Sequence, residues 1–505
     1  MLLQNVFCTR LVPADRPLKA AFAIFPTPGS RHHKYDTNVC KKGRTPMYTI
    51  DFTKPVHIHF IGIGGISMSG LAEILLKEGF TVSGSDSKES ALTDHLTANG
   101  AQIFYGQRAS NIIDGIDLVV YTAAIHPDNP EYASAVEKGI PMLTRAQLLG
   151  QIMRNYDTPI AVSGTHGKTT TTSMISQILL EADADPTISV GGILPSIGGN
   201  IRVGQSETFV TEACEYTNSF LSFFPKISVI LNMDADHLDF FKDIDDIRHS
   251  FRKFAELLPA DGTLIINADT PEYETITREL PCNVLTYGLE HDADYTAADI
   301  TWDKYGHPSF SVLFRGKKIG SYYLRVPGIH NVSNALAAIA VGRLLDLPDD
   351  VIVKGLGSFT GTDRRFQYKG EIGGITIIDD YAHHPTEIEA TLHAAKNYPH
   401  QKVWCVFQPH TYTRTKALLP EFAKALTLAD HVVLADIYAA RETDNLGISS
   451  QDLQKQIQEL GTPCEYFPTF DEIESFLLKS CAHGDLLITM GAGDVVNIGE
   501  HLLGK

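Results

Sequence analysis

The sequence lacks paired cysteines, long apolar runs and an excess of positive charge. Its seven cysteines are scattered and form no CxxC pair, which argues against a disulfide framework or a zinc site. No run approaches the ~18–20 apolar residues that a membrane-spanning helix needs. The formal net charge of −18 disfavours bulk binding to nucleic acid. These absences predict a cytoplasmic protein that binds neither nucleic acid nor membranes.

The length indicates several globular domains. At ~100–200 residues per domain, 505 residues correspond to about three domains. Residues 1–46 stand apart, because they show no helical or strand periodicity and are dotted with proline and basic residues. We expect this segment to be disordered, or even to lie outside the natural product, since Met47 precedes the first ordered pattern.

Strands and helices alternate along the rest of the chain, which predicts doubly wound α/β domains. Motifs divide the chain into three blocks, namely 47–157, 158–327 and 328–505. Between about 285 and 326 the strands become short and alternating, which predicts a small antiparallel subsheet beside the central sheet.

The segment that follows the apolar run at 160–162 carries the most informative pattern of the chain. It reads Gly164-Thr165-His166-Gly167-Lys168-Thr169 and leads into a helical pattern. In such a loop, backbone N–H groups cradle phosphates, the lysine reaches the β- and γ-phosphates, and the next hydroxyl holds Mg²⁺. Val162 occupies the first glycine position of the full pattern, so the loop is a shortened variant. An ordinary glycine turn is the alternative interpretation.

Two further polar side chains are predicted at strand ends in the second block. Glu212 follows the strand 208–211, and His237 follows the strand 227–231. Ligands of open α/β sheets gather at such ends. Together with Thr169, these side chains offer a hydroxyl, a carboxylate and an imidazole to Mg²⁺. Alternatively, Glu212 caps a helix and His237 is structural.

The third block carries polar loops that indicate an active-site rim. Asn331 lies at the start of a predicted helix, where it either caps the helix or contacts a base. Arg365 offers a guanidinium to phosphate or carboxylate. Asp380 and His383 follow one predicted strand, and Arg414 follows the next. Any one of these loops could simply be solvated, but several in one block favour a site.

These motifs together resemble the Mur ligase family, from about residue 47 to the end and in the family's order. Besides the loop at 164–170, the matching segments are Gly62-Ile63-Gly64-Gly65-Ile66-Ser67-Met68-Ser69-Gly70, Glu212-Ala213-Cys214-Glu215, Asp236-His237-Leu238-Asp239, His330-Asn331-Val332-Ser333-Asn334-Ala335, Arg364-Arg365-Phe366 and Asp380-Tyr381-Ala382-His383-His384-Pro385. The resemblance implies an α/β protein with a Rossmann-like N-terminal domain that binds a UDP substrate, a central P-loop ATPase-type sheet and a Rossmann-like C-terminal domain.

The resemblance also implies an ATP- and Mg²⁺-dependent ligase of peptidoglycan precursor synthesis. It is closest to members that join L-alanine to the lactyl carboxylate of UDP-N-acetylmuramate. In that reaction ATP phosphorylates the carboxylate, the amino group attacks the acyl phosphate, and ADP and phosphate are released. A monomer or a weak homodimer is expected.

Residue roles are implied in the same way. The resemblance assigns catalysis to Lys168, Glu212, His237 and His383. It assigns ATP binding to Gly164, Thr165, His166, Gly167, Lys168, Thr169, Thr170, Asn331, Arg365 and Asp380. It assigns substrate binding to Gly62, Gly64, Gly65, Ser67, Asp86, Thr122, His126, His383 and Arg414. It assigns metal binding to Thr169, Glu212 and His237. One departure is Thr411, where many relatives carry arginine.

Three other functions remain open at this point. A ligase that attaches a preformed peptide to the same nucleotide is the nearest alternative. A nicotinamide-dependent oxidoreductase is disfavoured, because Ser67 replaces the third glycine of the dinucleotide fingerprint. A non-catalytic nucleotide-binding regulator should lack the metal set, yet all three of its members are present.

Overall fold

The computed structural model describes residues 48–122, 124–238, 240–440 and 442–505. The segment 1–46, predicted to be disordered, lies outside the described residues. The described chain forms three β-sheets in chain order with helices between the strands, so the predicted α/β class is confirmed. Among these residues, no helix is long and apolar enough to cross a membrane.

The first sheet is parallel throughout. Its strands are β1 (His57–Ile61), β2 (Thr81–Asp86), β3 (Gln102–Tyr105), β4 (Leu118–Tyr121) and β5 (Met142–Thr144). Its helices are α1 (Ile66–Lys77), α2 (Ala91–Ala98), α3 (Pro130–Glu137) and α4 (Arg145–Met153). The strand order β3-β2-β1-β4-β5 reverses between β1 and β4. The loops after these two strands therefore border a crevice of the kind that binds nucleotides.

The second sheet has ten strands. They are β6 (Thr158–Ser163), β7 (Thr187–Leu194), β8 (Gly199–Arg202), β9 (Thr208–Glu212), β10 (Ile227–Ile230), β11 (Thr263–Asn267), β12 (Asn283–Gly288), β13 (Tyr295–Trp302), β14 (Pro308–Phe314) and β15 (Lys317–Tyr323). Its order is β15-β14-β13-β12-β11-β10-β6-β9-β7-β8. The predicted antiparallel strands do exist as β13 to β15. However, β13 pairs in parallel with β12, so they extend the central sheet and do not form a separate one.

Five helices accompany this sheet. They are α5 (Lys168–Glu181), α6 (Ile244–Ala255), α7 (Glu274–Thr277), α8 (Ile329–Leu344) and α9 (Asp349–Ser358). The sequence division at 327/328 separates α8 and α9 from the central sheet. In the structure, buried side chains of both helices share one hydrophobic core with α5 and that sheet. Their packing favours a domain boundary after α9, because a cut at 328 would divide this core.

The third sheet follows α9. Its strands are β16 (Gln367–Ile372), β17 (Ile375–Asp380), β18 (Val403–Phe407), β19 (His431–Leu434), β20 (Cys464–Tyr466) and β21 (Leu486–Met490). Its helices are α10 (Pro385–Lys396), α11 (Tyr412–Ala417), α12 (Leu419–Leu426), α13 (Ser450–Glu459), α14 (Phe470–Ser480) and α15 (Val496–Leu502). The order is β16-β17-β21-β18-β19-β20, and only the edge strand β16 is antiparallel to its neighbour.

The contact between α9 and α5 yields a test of this packing. A Cβ atom on Gly355 would lie 2.7 Å from the Cα of Ile178, so we expect Gly355→Ala to destabilise the fold by about 1–3 kcal/mol. On the same helix, a Cβ on Gly357 would have its nearest neighbour at 4.0 Å. Gly357→Ala should therefore be neutral or stabilising by about 0.5–1 kcal/mol. Thermal unfolding midpoints measure both, and equal midpoints would contradict the close helix contact.

Candidate active site

The phosphate loop joins β6 to α5 and is fixed by its two glycines. Gly164 has φ +146° and Gly167 has φ +81°, which are conformations that other residues rarely adopt. A Cβ on Gly167 would also lie 2.7 Å from Oδ1 of Asn334. Gly167 is the N-cap of α5. The N–H groups of the first turn of this helix have no partner within the helix, so they can bind a phosphate at the loop. The strand, loop and helix predicted from the sequence are present.

The loop is tied to the segment that follows β10. The backbone N–H of His166 donates to Oδ1 of Asn232 at 2.8 Å, and Oγ1 of Thr165 accepts from the Asp234 N–H at 2.9 Å. These bonds fix the shape of the loop, so a bound phosphate meets a preorganised site.

Lys168 is paired with a carboxylate inside the protein. Its Nζ lies 3.0 Å from Oε2 of Glu215 and donates to the carbonyl oxygen of Thr165 at 3.0 Å. Burial acts to lower the pKa of Lys168, but Glu215 and its neighbours outweigh burial and raise it, so the side chain stays charged. Glu215 had no predicted role. The motif at 212–215 was the only feature of the sequence that drew attention to this residue. Local patterns could not reveal its contact with Lys168, because 47 residues separate the two partners along the chain.

Two of the predicted metal ligands lie against consecutive glycines of β7. A Cβ on Gly191 would lie 2.8 Å from Oε2 of Glu212, and a Cβ on Gly192 would lie 3.3 Å from Cγ2 of Thr169. Glu212 also accepts a hydrogen bond from the Gly191 N–H. Because the two glycines have no side chains, there is space for Thr169 and for the carboxylate of Glu212 beside them.

The third predicted ligand, His237, lies on the loop after β10. Its ring stacks on Tyr216 with a centroid distance of 4.4 Å. Burial lowers its pKa against the opposing effect of Asp236 and Glu215, which keeps the imidazole neutral and able to bind a cation. A hydroxyl, a carboxylate and a neutral imidazole are a donor set that fits a divalent cation beside phosphate oxygens.

A cavity of about 210 Å³ lies between the phosphate loop, α8 and the third sheet. Of the predicted ATP-binding residues, it is lined by His166, Gly167, Thr170, Asn331, Arg365 and Asp380.

Asn331 does not cap α8, because Gly328 holds that position and the Asn331 side chain donates to the Pro327 carbonyl at 2.7 Å. Burial raises the pKa of Asp380 to about 6, although its carboxylate accepts the backbone N–H of Phe366 and of Ala382.

His166 connects the phosphate loop to the C-terminal domain. Its Nε2 lies 2.9 Å from Oδ2 of Asp234, and its Nδ1 lies 3.3 Å from Oε1 of Glu387 on α10. Burial alone would lower the pKa of His166, but the two carboxylates outweigh burial and raise it to about 9. The ring is therefore an imidazolium that pairs with both domains at neutral pH.

A second cavity, of about 400 Å³, opens between the loop after β10 and the segment around α11. Arg414 and Asp236 meet in it at 3.1 Å across the two domains, and both are largely buried. His237, His410 and Glu442 also line this cavity. Arg414, which is predicted to bind substrate, is thus already paired with a carboxylate.

His383 lies next to this group, with its ring centroid 5.7 Å from that of His410. Burial lowers its pKa to about 4, helped by Arg414 and opposed by Glu387. Its Nδ1 lies 3.0 Å from the carbonyl oxygen of Tyr381, which can only accept, so Nδ1 carries the proton. Nε2 is then left as a hydrogen-bond acceptor.

Thr411, the departure from the family pattern, caps α11 by accepting from the Arg414 N–H at 3.4 Å.

The predicted UDP-binding residues form a separate group at the first sheet and line neither cavity. Gly62, Gly64 and Gly65 make the turn after β1, and Ser67 is the second residue of α1. The carboxylate of Asp86 accepts the Gly64 N–H at 2.8 Å. The loop that contains Thr122 and His126 follows β4, which pairs with β1. The Asn200 side chain donates to the Ile66 carbonyl at 3.0 Å, which joins this turn to the central domain.

The comparisons with known proteins decide the family. The UDP-N-acetylmuramate–L-alanine ligase of Agathobacter rectalis is 63% identical to this chain over 459 residues, covering 91% of the chain and 100% of that protein. The chain belongs to the Mur ligase family. Three family models match in order, namely the Mur ligase family catalytic domain at 57–157, the Mur ligase middle domain at 162–342 and the Mur ligase glutamate ligase domain at 364–493. The middle-domain model extends over most of α8, in line with the packing of that helix.

Solved Mur ligases share the whole architecture. The UDP-N-acetylmuramate–alanine ligase of Thermotoga maritima has a TM-score of 0.75 at 30% identity, and the match covers 89% of this chain and 98% of that one. The murein peptide ligase of Psychrobacter arcticus has a TM-score of 0.65 at 25% identity, with the same coverages.

The ion pairs of His166 predict a pH dependence of stability in this Mur ligase. The folded-state pKa of about 9 exceeds the ordinary 6.5, so the folded protein binds more protons than the unfolded chain between these values. The stabilisation is complete below about pH 6.5 and is lost as the pH rises through 9. It amounts to at most about 3 kcal/mol.

Unfolding midpoints between pH 6 and 10 in buffer with chelator measure this effect. We expect the midpoint of the parent protein to fall over this range more steeply than that of His166→Gln. Parallel curves for the two proteins would contradict the paired imidazolium.

Proposed function

We propose that this Mur ligase joins L-alanine to the lactyl carboxylate of UDP-N-acetylmuramate and converts ATP to ADP and phosphate. The identity of 63% with a UDP-N-acetylmuramate–L-alanine ligase, over the full length of that protein, carries the proposal. The phosphate loop and the two interdomain cavities support it, because they provide adjacent sites for a nucleotide triphosphate and for the groups to be joined.

ATP is proposed to bind in the cavity of about 210 Å³. Its phosphates would lie at the N-terminus of α5, where backbone N–H groups and Lys168 favour negative charge. Asn331 would contact the base, and Arg365 and Asp380 would contact phosphate and ribose. Because Arg365 and Asp380 belong to the C-terminal domain, the nucleotide would bind both domains at once.

The carboxylate of UDP-N-acetylmuramate would attack the γ-phosphate, and ADP would leave. Both reactants are anionic, so the barrier depends on positive charge at the transferred phosphoryl group. Lys168 supplies such charge once phosphate oxygens replace Glu215 as its partner. Mg²⁺ held by Thr169, Glu212 and His237 would supply further charge neutralisation between the phosphates and the carboxylate.

The amino group of L-alanine would then attack the acyl phosphate, and phosphate would leave with one oxygen of the former carboxylate. Arg414 lies in the second cavity and would bind the carboxylate of L-alanine after it gives up its contact with Asp236. Nε2 of His383 would accept a hydrogen bond from the incoming amine. The UDP moiety would remain in the crevice bordered by Gly62, Gly64, Gly65 and Asp86.

Acceptor choice is the first test of this function. We expect phosphate release in the presence of ATP, Mg²⁺ and UDP-N-acetylmuramate to require L-alanine. Glycine and L-serine serve as size controls, and an L-alanine-containing tripeptide represents a preformed peptide. Release only with the tripeptide would assign the chain to peptide ligation, and NAD(P)H turnover without ATP would overturn the ligase altogether.

A substitution in the phosphate loop tests the role of the lysine. We expect Lys168→Ala to lower kcat at least about 100-fold, since one preorganised charge at the transferred group is removed. Binding of UDP-N-acetylmuramate, measured by calorimetry without ATP, should be unchanged because the crevice lies on the first sheet. Lys253→Ala, at an exposed position of α6, is the control and should retain full activity. Near-parent phosphate release by Lys168→Ala would refute this role.

A further inference from the structure

A second group of metal-binding side chains lies beside the phosphate loop. His166 belongs to the loop, Asp234 to the segment after β10, and His384 to the N-cap of α10. One ligand atom of each residue lies within 4.8 Å of the ligand atoms of the other two. None of the three belongs to the predicted Mg²⁺ set, and they come from two facing domains.

The chemistry of these donors favours a transition metal over Mg²⁺. Two imidazoles with a single carboxylate suit Zn²⁺, Ni²⁺ or Cu²⁺, whereas Mg²⁺ prefers a nearly octahedral set made mostly of oxygen ligands. Zinc bonds to nitrogen and oxygen are about 2.0–2.2 Å long, so tetrahedral ligands lie roughly 3.4 Å apart. Small side-chain shifts would bring the three residues to that spacing and leave a fourth position open.

His384 supplies an independent observation that points to a ligand. Only 6% of the residue is exposed, and its Nε2 is buried with no hydrogen-bond partner among the described residues. Leaving such an atom unpaired is destabilising, because its interaction with water is lost and nothing replaces it. A histidine binds a metal through a neutral ring, so the unpaired Nε2 of His384 is a candidate donor atom. Its Nδ1 makes only a 3.3 Å contact with the Thr386 N–H, which a metal-bound tautomer would give up.

Glu387 completes the arrangement. Metal-bound histidines usually donate their second N–H to a carboxylate, which orients the ring. Glu387 already holds Nδ1 of His166 at 3.3 Å, while Nε2 faces Asp234 at 2.9 Å. A cation that enters between Nε2 and Asp234 would keep Glu387 as the orienting partner. A divalent ion in place of the His166 proton would add positive charge between the carboxylates that already hold this ring.

We propose that His166, Asp234 and His384 form an inhibitory transition-metal site that binds a Zn²⁺-class ion. The ion bridges the phosphate loop to the C-terminal domain. His166, Asp234 and Glu387 line the cavity of about 210 Å³, so the bound ion would exclude the phosphates of ATP. Metal binding stands on the geometry alone, whereas the competition with ATP rests on the proposed function.

Equilibrium dialysis of the full chain against Zn²⁺ tests binding without any assay of activity. His237→Asn serves as the background, because it removes a ligand of the predicted Mg²⁺ set. We expect this protein to bind one Zn²⁺ that is lost, or weakened at least 10-fold, when His384→Asn is added. Asparagine is a strong N-cap residue and should preserve the start of α10. Equal Zn²⁺ binding by the two proteins would overturn the site.

A ligand-retaining variant separates coordination from folding. His384→Cys should bind Zn²⁺ at least as tightly as the parent, since thiolate is a good zinc ligand, while His384→Asn should not. If both variants lose Zn²⁺ equally while their metal-free unfolding midpoints match that of the parent, the coordination model is wrong.

Competition with the nucleotide is measured separately. In the parent protein, Zn²⁺ should raise the KM for ATP at fixed Mg²⁺ and leave kcat unchanged, and His384→Cys should respond in the same way. Zinc that binds by dialysis without affecting the KM for ATP would overturn the inhibitory role but not the site. Absence of ATP turnover in zinc-free buffer would instead count against the proposed function.

Discussion

An imidazolium ring between two carboxylates joins the phosphate loop to the C-terminal domain. His166 pairs with Asp234 on its own domain and with Glu387 on the other. Both contacts are ion pairs only while the buried His166 ring is protonated, and the two carboxylates raise its pKa. Arg414 and Asp236 form a second cross-domain pair. The first pairing lines the cavity of about 210 Å³ and the second lines the cavity of about 400 Å³, so the space proposed for ATP and for the amino acid depends on how the two domains are held together.

The positive groups of the site are paired with carboxylates of the protein. Lys168 faces Glu215, Arg414 faces Asp236, and Arg365 lies 3.9 Å from Glu387. In a chain of net charge −18, such pairing avoids isolated buried cations, which are costly. Anionic substrates would therefore exchange one carboxylate partner for another. Binding would therefore be coupled to rearrangement of contacts across the domain interface.

Local patterns in the sequence predicted the elements but not their assembly. The phosphate loop, the glycine turn after β1 and the strand ends at Glu212 and Asp380 follow from short-range periodicity and turn chemistry. The packing of α8 and α9 on the central sheet was missed, because the apolar pattern of a helix does not show which sheet that helix packs against. Glu215 and Asp234 were missed as partners of the loop, since those contacts form between distant parts of the chain.

In the proposed reaction, ATP activates the substrate carboxylate by phosphorylation between the two domains. Turnover with UDP-N-acetylmuramate labelled with ¹⁸O in its lactyl carboxylate tests it most directly. We expect the phosphate released with L-alanine to carry one ¹⁸O atom from that carboxylate, as detected by mass spectrometry. Phosphate free of label, with the amide product still formed, would contradict the acyl-phosphate route.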